Sequence, residues 1–245
     1  MKVDALAELN SELVKCRKCP RLVAWREEVA CVKRRAYQDQ DYWGKPVPGF
    51  GDPQARLMIV GLAPGAHGSN RTGRMFTGDA SGNFLYPALH RAGFANGTEG
   101  IYVGDGLALQ DAYISAICRC APPQNKPTRV EVTNCLPWLQ REVACLGNLD
   151  GFVALGKIAF DGLAWMYQRQ SHQLPKMAFA HSAFYQPGEG LPWLLCSYHP
   201  SQQNTLTGRL TEAMFDAIWQ QARGYWTIIQ IHLYRYMCIE YLFYH

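Results

Sequence analysis

Four short apolar runs, each breaking into a glycine or a polar loop, limit the architectures open to this chain. They are residues 56–62 (RLMIVGL), 112–117 (AYISAI), 152–155 (FVAL, followed by Gly156) and 193–197 (WLLCS). Runs this short, with no polar alternation, are the pattern of strands buried on both faces. Helical spacing surrounds them. Ala5, Leu6, Leu9, Leu13 and Val14 precede the first, and Phe84 to Ala92, closing at Gly93, follow it. Thr128 can cap a helix reaching about Leu146, which Pro137 should kink or divide. Ile158–Tyr167 and Leu210–Ala222 follow the third and fourth runs. Strands alternating with helices predict an α/β fold built on a mainly parallel sheet. The polar loops after strands one, two and four would then gather at the strands' carboxyl ends, where such sheets bind ligands.

The 245 residues suffice for a large core without covalent staples, because a chain of this size buries roughly 70–75% of its unfolded surface. No stretch of 18 apolar residues is present, so a membrane partner is not expected. The first residues, MKVDALAELNSELVKC, are acidic and amphipathic and do not read as a secretion signal. A cytoplasmic, intracellular protein with reduced thiols is expected. That bears on the nine cysteines, an odd number that a closed disulfide framework would not use up. Metal ligands, a nucleophile or small buried hydrophobes remain. The net charge of +4 permits a polyanionic partner without requiring one.

Three segments carry the chemistry. Residues 61–79, GLAPGAHGSNRTGRMFTGD, hold five glycines, which let backbone approach a ligand and offer N–H donors. No Gly-Lys-Ser/Thr follows, and the spacing fails the dinucleotide pattern, so neither a P-loop nor a nucleotide-binding fingerprint is present. Basic residues, one aromatic and one carboxylate share the loop, more than a plain glycine-rich connection needs. The second segment pairs Cys16-x2-Cys19 with Cys120 and Cys135 far downstream. By ligand type, four thiolates suit zinc or an iron–sulfur cluster, and spacing does not choose between them. The third segment, residues 199–211 (HPSQQNTLTGRLT), sets a histidine at the carboxyl end of a strand.

Taken together, GLAPGAHGSNRTGRMFTGDASG, RCAPPQNKP and HPSQQNTLTGRLT resemble the motifs of the family 5, or type B, uracil-DNA glycosylases. The resemblance covers roughly residues 10–223, with Gly65 standing where many members carry alanine. It implies a three-layer αβα domain over residues 1–223, a central four-stranded mainly parallel sheet, and a [4Fe–4S] cluster. The family's cluster ligands fall on Cys16, Cys19, Cys120 and Cys135. Cys118, two residues away on the same face of an extended segment, is the rival for the third position.

The implied activity is monofunctional. The enzyme flips uracil, or another deaminated base such as hypoxanthine, out of double-stranded DNA and hydrolyses the N-glycosidic bond. This leaves an abasic site for base excision repair. No lysine occupies a motif position suited to a Schiff base with the sugar. Asp79 would orient water and stabilise a cationic sugar, and His199 would donate to the base carbonyl. Phe76 is the platform under the base. Asn125, Asn70, His67 and the backbone at Gly61, Ala63 and Gly65 are its candidate contacts. Ser201, Asn204, Leu206 and Arg209 form the expected DNA-binding loop, with Leu206 as wedge and Arg209 on a phosphate. A monomer is expected.

Two other classes fit part of this pattern. One is a relative that captures uracil without turnover, which needs a basic insertion after the first motif; here Asp79 runs directly into a helix. The other is a zinc-bound nucleic-acid module without catalysis. Residues 224–245 stand apart, with seven aromatics and four isoleucines among 22 positions. An added edge strand, a surface or partner segment, and sequence foreign to the domain all remain open for this tail.

Overall fold

The computed structural model describes residues 2–170 and 174–225. In chain order the elements are α1 (Lys2–Leu13), α2 (Pro20–Val32), β1 (Phe50–Gly51), β2 (Leu57–Gly61), α3 (Ser69–Thr72), α4 (Ala80–Arg91), β3 (Ala112–Ala116), α5 (Arg129–Cys145), β4 (Gly151–Leu155), α6 (Lys157–Gln170), β5 (Phe184–Tyr185), β6 (Trp193–Ser197) and α7 (Gln202–Leu206). A last helix, α8, occupies residues 212–225. The six strands lie in the order β1-β3-β2-β4-β6-β5.

The four central strands run parallel, and every residue in them is buried, as the four apolar runs predicted. The expected four-stranded sheet gains two antiparallel edge strands of two residues each. Pairs that short carry no periodicity of their own; they form because neighbouring backbone is already in place.

Alternation along the strands makes the three layers. Leu57, Ile59, Ile114, Val153 and Leu195 face α4 and α8 through Leu85, Leu89, Phe215 and Trp219. Met58, Val60, Tyr113, Phe152 and Leu194 face the other way, against Leu136 and Leu139 of α5 and Phe160 and Leu163 of α6.

One helix departs from the sequence expectation, and another resolves it. α2 replaces what reads as a polar, basic stretch; it opens on Cys19 with Pro20 in its first turn, where a missing N–H costs nothing. α5 stays continuous through Pro137. A capping box starts it: Thr128 Oγ1 accepts from the Glu131 N–H, and Glu131 accepts from the Thr128 N–H at 2.7 Å. Glu131 also receives Arg21 of α2 at 2.6 and 2.8 Å, which ties the N-terminal segment to α5. Residues 226–245, with Cys238 and nearly all of the aromatic tail, lie outside the described residues. Among the described residues no helix is long and apolar enough to cross a membrane.

Candidate active site and cysteine cavity

β2 sits between β3 and β4, so the chain leaves it in one direction and later returns on its other side. The crevice at that switch point lies at the carboxyl ends of β2, β4 and β6. The loop after β2 supplies Phe76 and Asp79, and the loop after β6 supplies His199. Two rings meet there, with Phe76 and His199 30° from parallel and centroids 5.9 Å apart. Two glycines make the room. A Cβ on Gly61 would lie 2.9 Å from the Phe76 ring, and one on Gly156 would lie 3.2 Å from the His199 Cβ. Phe76 has a φ of +52°, a strained choice for a bulky residue. Such strain persists only where the surroundings enforce it, and it collects at functional sites.

Asp79 caps α4, accepting the Gly82 N–H on Oδ1 at 3.0 Å. Its second oxygen faces the glycine loop. Oδ2 lies 3.1 Å from where a Gly65 Cβ would stand, and a Cβ on Gly68 would overlap the carboxylate. Burial pushes the Asp79 pKa up, opposed by the Gly82 and Ser81 N–H groups and by Arg71. His199 moves in the sense that keeps it neutral: desolvation pushes it down to about 4. Its ring nitrogens bond no group among the described residues.

The remaining expected contacts separate. His67 Nδ1 stands 3.0 Å from the Tyr42 hydroxyl. Burial, followed by Arg34 and Arg71, lowers the His67 pKa. Asn70 is fully buried, and its amide donates to the Arg26 and Ala66 carbonyls at 3.2 and 3.4 Å. Ala63 is half-buried and packs on the α5/α6 face. Asn125 is exposed, with a φ of +56° in a turn after β3. Ser201 caps α7, accepting from the Asn204 N–H, and the Asn204 amide donates to the His199 carbonyl at 2.9 Å. That bond holds the histidine's backbone to the loop. Leu206 is 78% exposed, and Arg209 lies over the Tyr198 ring, 4.6 Å from its centroid.

Cys16, Cys19, Cys120 and Cys135 line one cavity with Leu13, Leu22 and Trp138. Three donors reach its sulfurs. The Arg119 N–H lies 3.2 Å from Cys135 Sγ, the Arg26 guanidinium 2.9 Å from Cys120 Sγ, and the Asn134 amide 3.7 Å from Cys19 Sγ. Burial pushes Cys120 up to about 12, while hydrogen bonding from Cys118 lowers Cys135. Cys118 does not line the cavity; it is fully buried in the core on the α5/α6 face. Among the described residues no three His, Cys, Asp or Glu side chains stand close enough together to hold a single ion.

The family model for the uracil DNA glycosylase superfamily matches residues 48–223. This chain belongs to that superfamily. Similar proteins include the type-5 uracil-DNA glycosylase of Mycobacterium tuberculosis, 50% identical over 223 residues that cover 89% of this chain and 81% of that one. That of Mycobacterium leprae is 51% identical over 223 residues, covering 89% and 95%. That of Thermus thermophilus is 52% identical over 211 residues, covering 86% and 94%.

Superfamily membership gives meaning to residues that sequence reading passed over. Gly68 is one: only a glycine leaves space for the Asp79 carboxylate. Arg71 is another, bonding the His67 and Gly78 carbonyls at 2.8 and 2.9 Å and so bracing the glycine loop from within. Arg74 pairs with buried Asp105 at 2.6 and 2.7 Å, clamping the same loop to the segment after α4. Glycine count pointed to the loop; which glycine serves which side chain needed the fold.

Proposed function

We propose that the chain is a monofunctional DNA glycosylase that removes uracil, and related deaminated bases such as hypoxanthine, from double-stranded DNA. The observation that carries this reading is the stacking of a buried, neutral histidine on an aromatic ring at the carboxyl ends of the parallel strands, with a buried carboxylate in the same loop as that ring. A flipped base would rest against Phe76. As the C1′–N bond breaks, its electron pair leaves with the base. Neutral His199 donates a hydrogen bond to a base carbonyl as that charge develops. Asp79 stabilises the cationic sugar and takes a proton from the attacking water, whose oxygen ends on C1′. The departing base anion takes a proton from solvent and Asp79 gives up the proton it took, so the products are a free base and an abasic site. Exposed Leu206 would fill the gap in the duplex, with Arg209 and the Ser201–Asn204 turn on the flanking backbone. Asn70 would act by shaping the loop through its two carbonyl bonds, His67 by bracing the same loop through Tyr42, and Asn125 by meeting the base edge.

A panel of duplexes containing uracil, hypoxanthine, xanthine or a thymine mismatch tests this. Uracil and hypoxanthine strands should become cleavable by alkali and remain intact without it. Strand nicking in the absence of alkali would remove the monofunctional assignment. A stable protein–DNA adduct without turnover would place the chain with the base-capturing relatives.

The same proposal assigns a [4Fe–4S] cluster to Cys16, Cys19, Cys120 and Cys135. The donor set fits it. Four thiols ring one largely apolar cavity, N–H groups point at the sulfurs, and a buried arginine offsets their charge. A single zinc ion needs its thiolates within bond reach of one point, about 2.3 Å each, whereas a polynuclear cluster spreads them over its corners. When bound, the cluster would cross-link α2, the loop after β3 and α5. Cys120→Ser should lose most of the iron, expected at about four per chain, and the visible absorbance. Cys118→Ser should keep both. The reverse pattern would exchange the two cysteines in the ligand set.

A further inference from the structure

We infer that a second cavity, beside the glycine loop and apart from the base site, holds a backbone phosphate of the bound DNA. The choice of partner rests on the glycosylase reading above; the geometry stands by itself. The cavity, of about 430 Å³, is lined by Lys15, Arg17, Arg26, Tyr42, Trp43 and Lys45 among others. Its charge is lopsided. Glu27 is the carboxylate on its wall, and it is already taken by Arg17, at 2.9 Å, and by Arg26, at 3.6 Å. Lys15 and Lys45 are exposed and pair with no acid among the described residues; Lys45 rests over the Trp43 ring.

Arg26 adds the built element. It is 2% exposed, and its Nε has no hydrogen-bond partner among the described residues. A buried guanidinium at the wall favours an anion nearby, and Arg26 lines this cavity. Two further observations favour nucleic acid. Residues 15–35 carry eight basic and two acidic side chains, while the whole chain nets only +4, so this segment is the chain's basic stretch. And Tyr42, on the cavity wall, bonds His67 at 3.0 Å, which sets the cavity beside the loop that also carries Phe76 and Asp79. A basic pocket with aromatic walls, beside that loop, suits a phosphate of the DNA backbone near the flipped nucleotide.

The test uses iron-loaded protein and measures affinity for an undamaged duplex as a function of salt. Lys15→Ala/Lys45→Ala should bind several-fold more weakly at about 0.1 M salt, and the slope of log K against log salt should flatten by about one unit for each phosphate that the variant no longer neutralises. Lys45→Ala alone, remote in sequence from the cysteines, should move slope and affinity the same way by a smaller amount with iron content unchanged. An unchanged slope and affinity in both variants would overturn the site. So would calorimetric binding of inorganic phosphate accompanied by unaltered duplex affinity, since the pocket would then serve a free anion. Undamaged duplex separates the two readings: a flattened slope with no uracil cleavage by the wild type would leave the phosphate site standing and remove the glycosylase assignment.

Discussion

Asp79→Asn should lower single-turnover cleavage of a uracil-containing duplex by about two to four orders of magnitude at neutral pH, with little change in stability. A loss of that size is expected when a positioned base and a charge stabiliser are removed together. Stability is spared because the bond that Asp79 makes to the chain is a helix cap, from the Gly82 N–H to Oδ1. Asparagine caps as well as aspartate does. The substitution therefore separates the two jobs of one side chain, the cap on Oδ1 and the chemistry on Oδ2.

Acid should reveal the same carboxylate. Burial raises the Asp79 pKa, so wild-type activity should fall as pH drops through that raised value, where the carboxylate gains a proton. Burial holds His199 down to about 4, so it gains a proton only in that acid range. The residual activity of Asp79→Asn should accordingly lack the acidic limb. Wild-type rates, or an unchanged limb, would take Asp79 out of the reaction.

Why this site was partly legible follows from what each residue is asked to do. The four central strands are buried on both faces, so nearly every position is apolar and each run is visible in a single chain. The glycines of residues 61–79 were visible too, because close approach admits no other residue. α2 was hidden by its own chemistry. Arg21 and Arg26 occupy it for their partners, Glu131 and the Cys120 sulfur, and such positions look like surface when read in one dimension. Tyr42 and His67 meet across 25 residues, and no local pattern encodes that contact. The choice between Cys118 and Cys120 was beyond alternation; in the fold Cys120 lines the cavity, while Cys118 is buried in the core against Cys135. Pro137 does not divide α5. Leu136 and Leu139, packed against the sheet, hold α5 together across the one hydrogen bond the proline removes.

The second large effect lies beneath the cysteine cavity. Glu142→Ala should cost about 3–5 kcal/mol, the penalty for leaving a buried charge without its partner. For a domain of this size that corresponds to a fall in Tm of roughly 10 °C. Arg119 and Glu142 are each 1% exposed, and both guanidinium nitrogens of Arg119 reach the carboxylate. Ser115 donates to the same carboxylate at 2.6 Å and Tyr113 at 3.5 Å, so Glu142 gathers four donors from two strand residues and the arginine. Removing it strands all of them.

The pair itself is a different matter. Two buried charges gain back from each other little more than they lose in leaving water, so Arg119→Met/Glu142→Leu should recover most of the stability. The double variant then isolates what the pair does beyond stability. Arg119 stands between Cys118 and Cys120. Its N–H reaches Cys135 Sγ at 3.2 Å, and its carbonyl accepts from Val47 at 2.7 Å. Its side chain, anchored by Glu142, fixes the backbone that carries one proposed ligand, Cys120, and donates to another, Cys135. If that anchoring matters, the double variant regains Tm yet releases iron faster than wild type on mild heating. Equal iron retention would make the backbone bonds sufficient by themselves. A single-variant cost below about 1 kcal/mol, measured by denaturant unfolding, would mean that water reaches Arg119 once Glu142 is gone and that this part of the core is not closed.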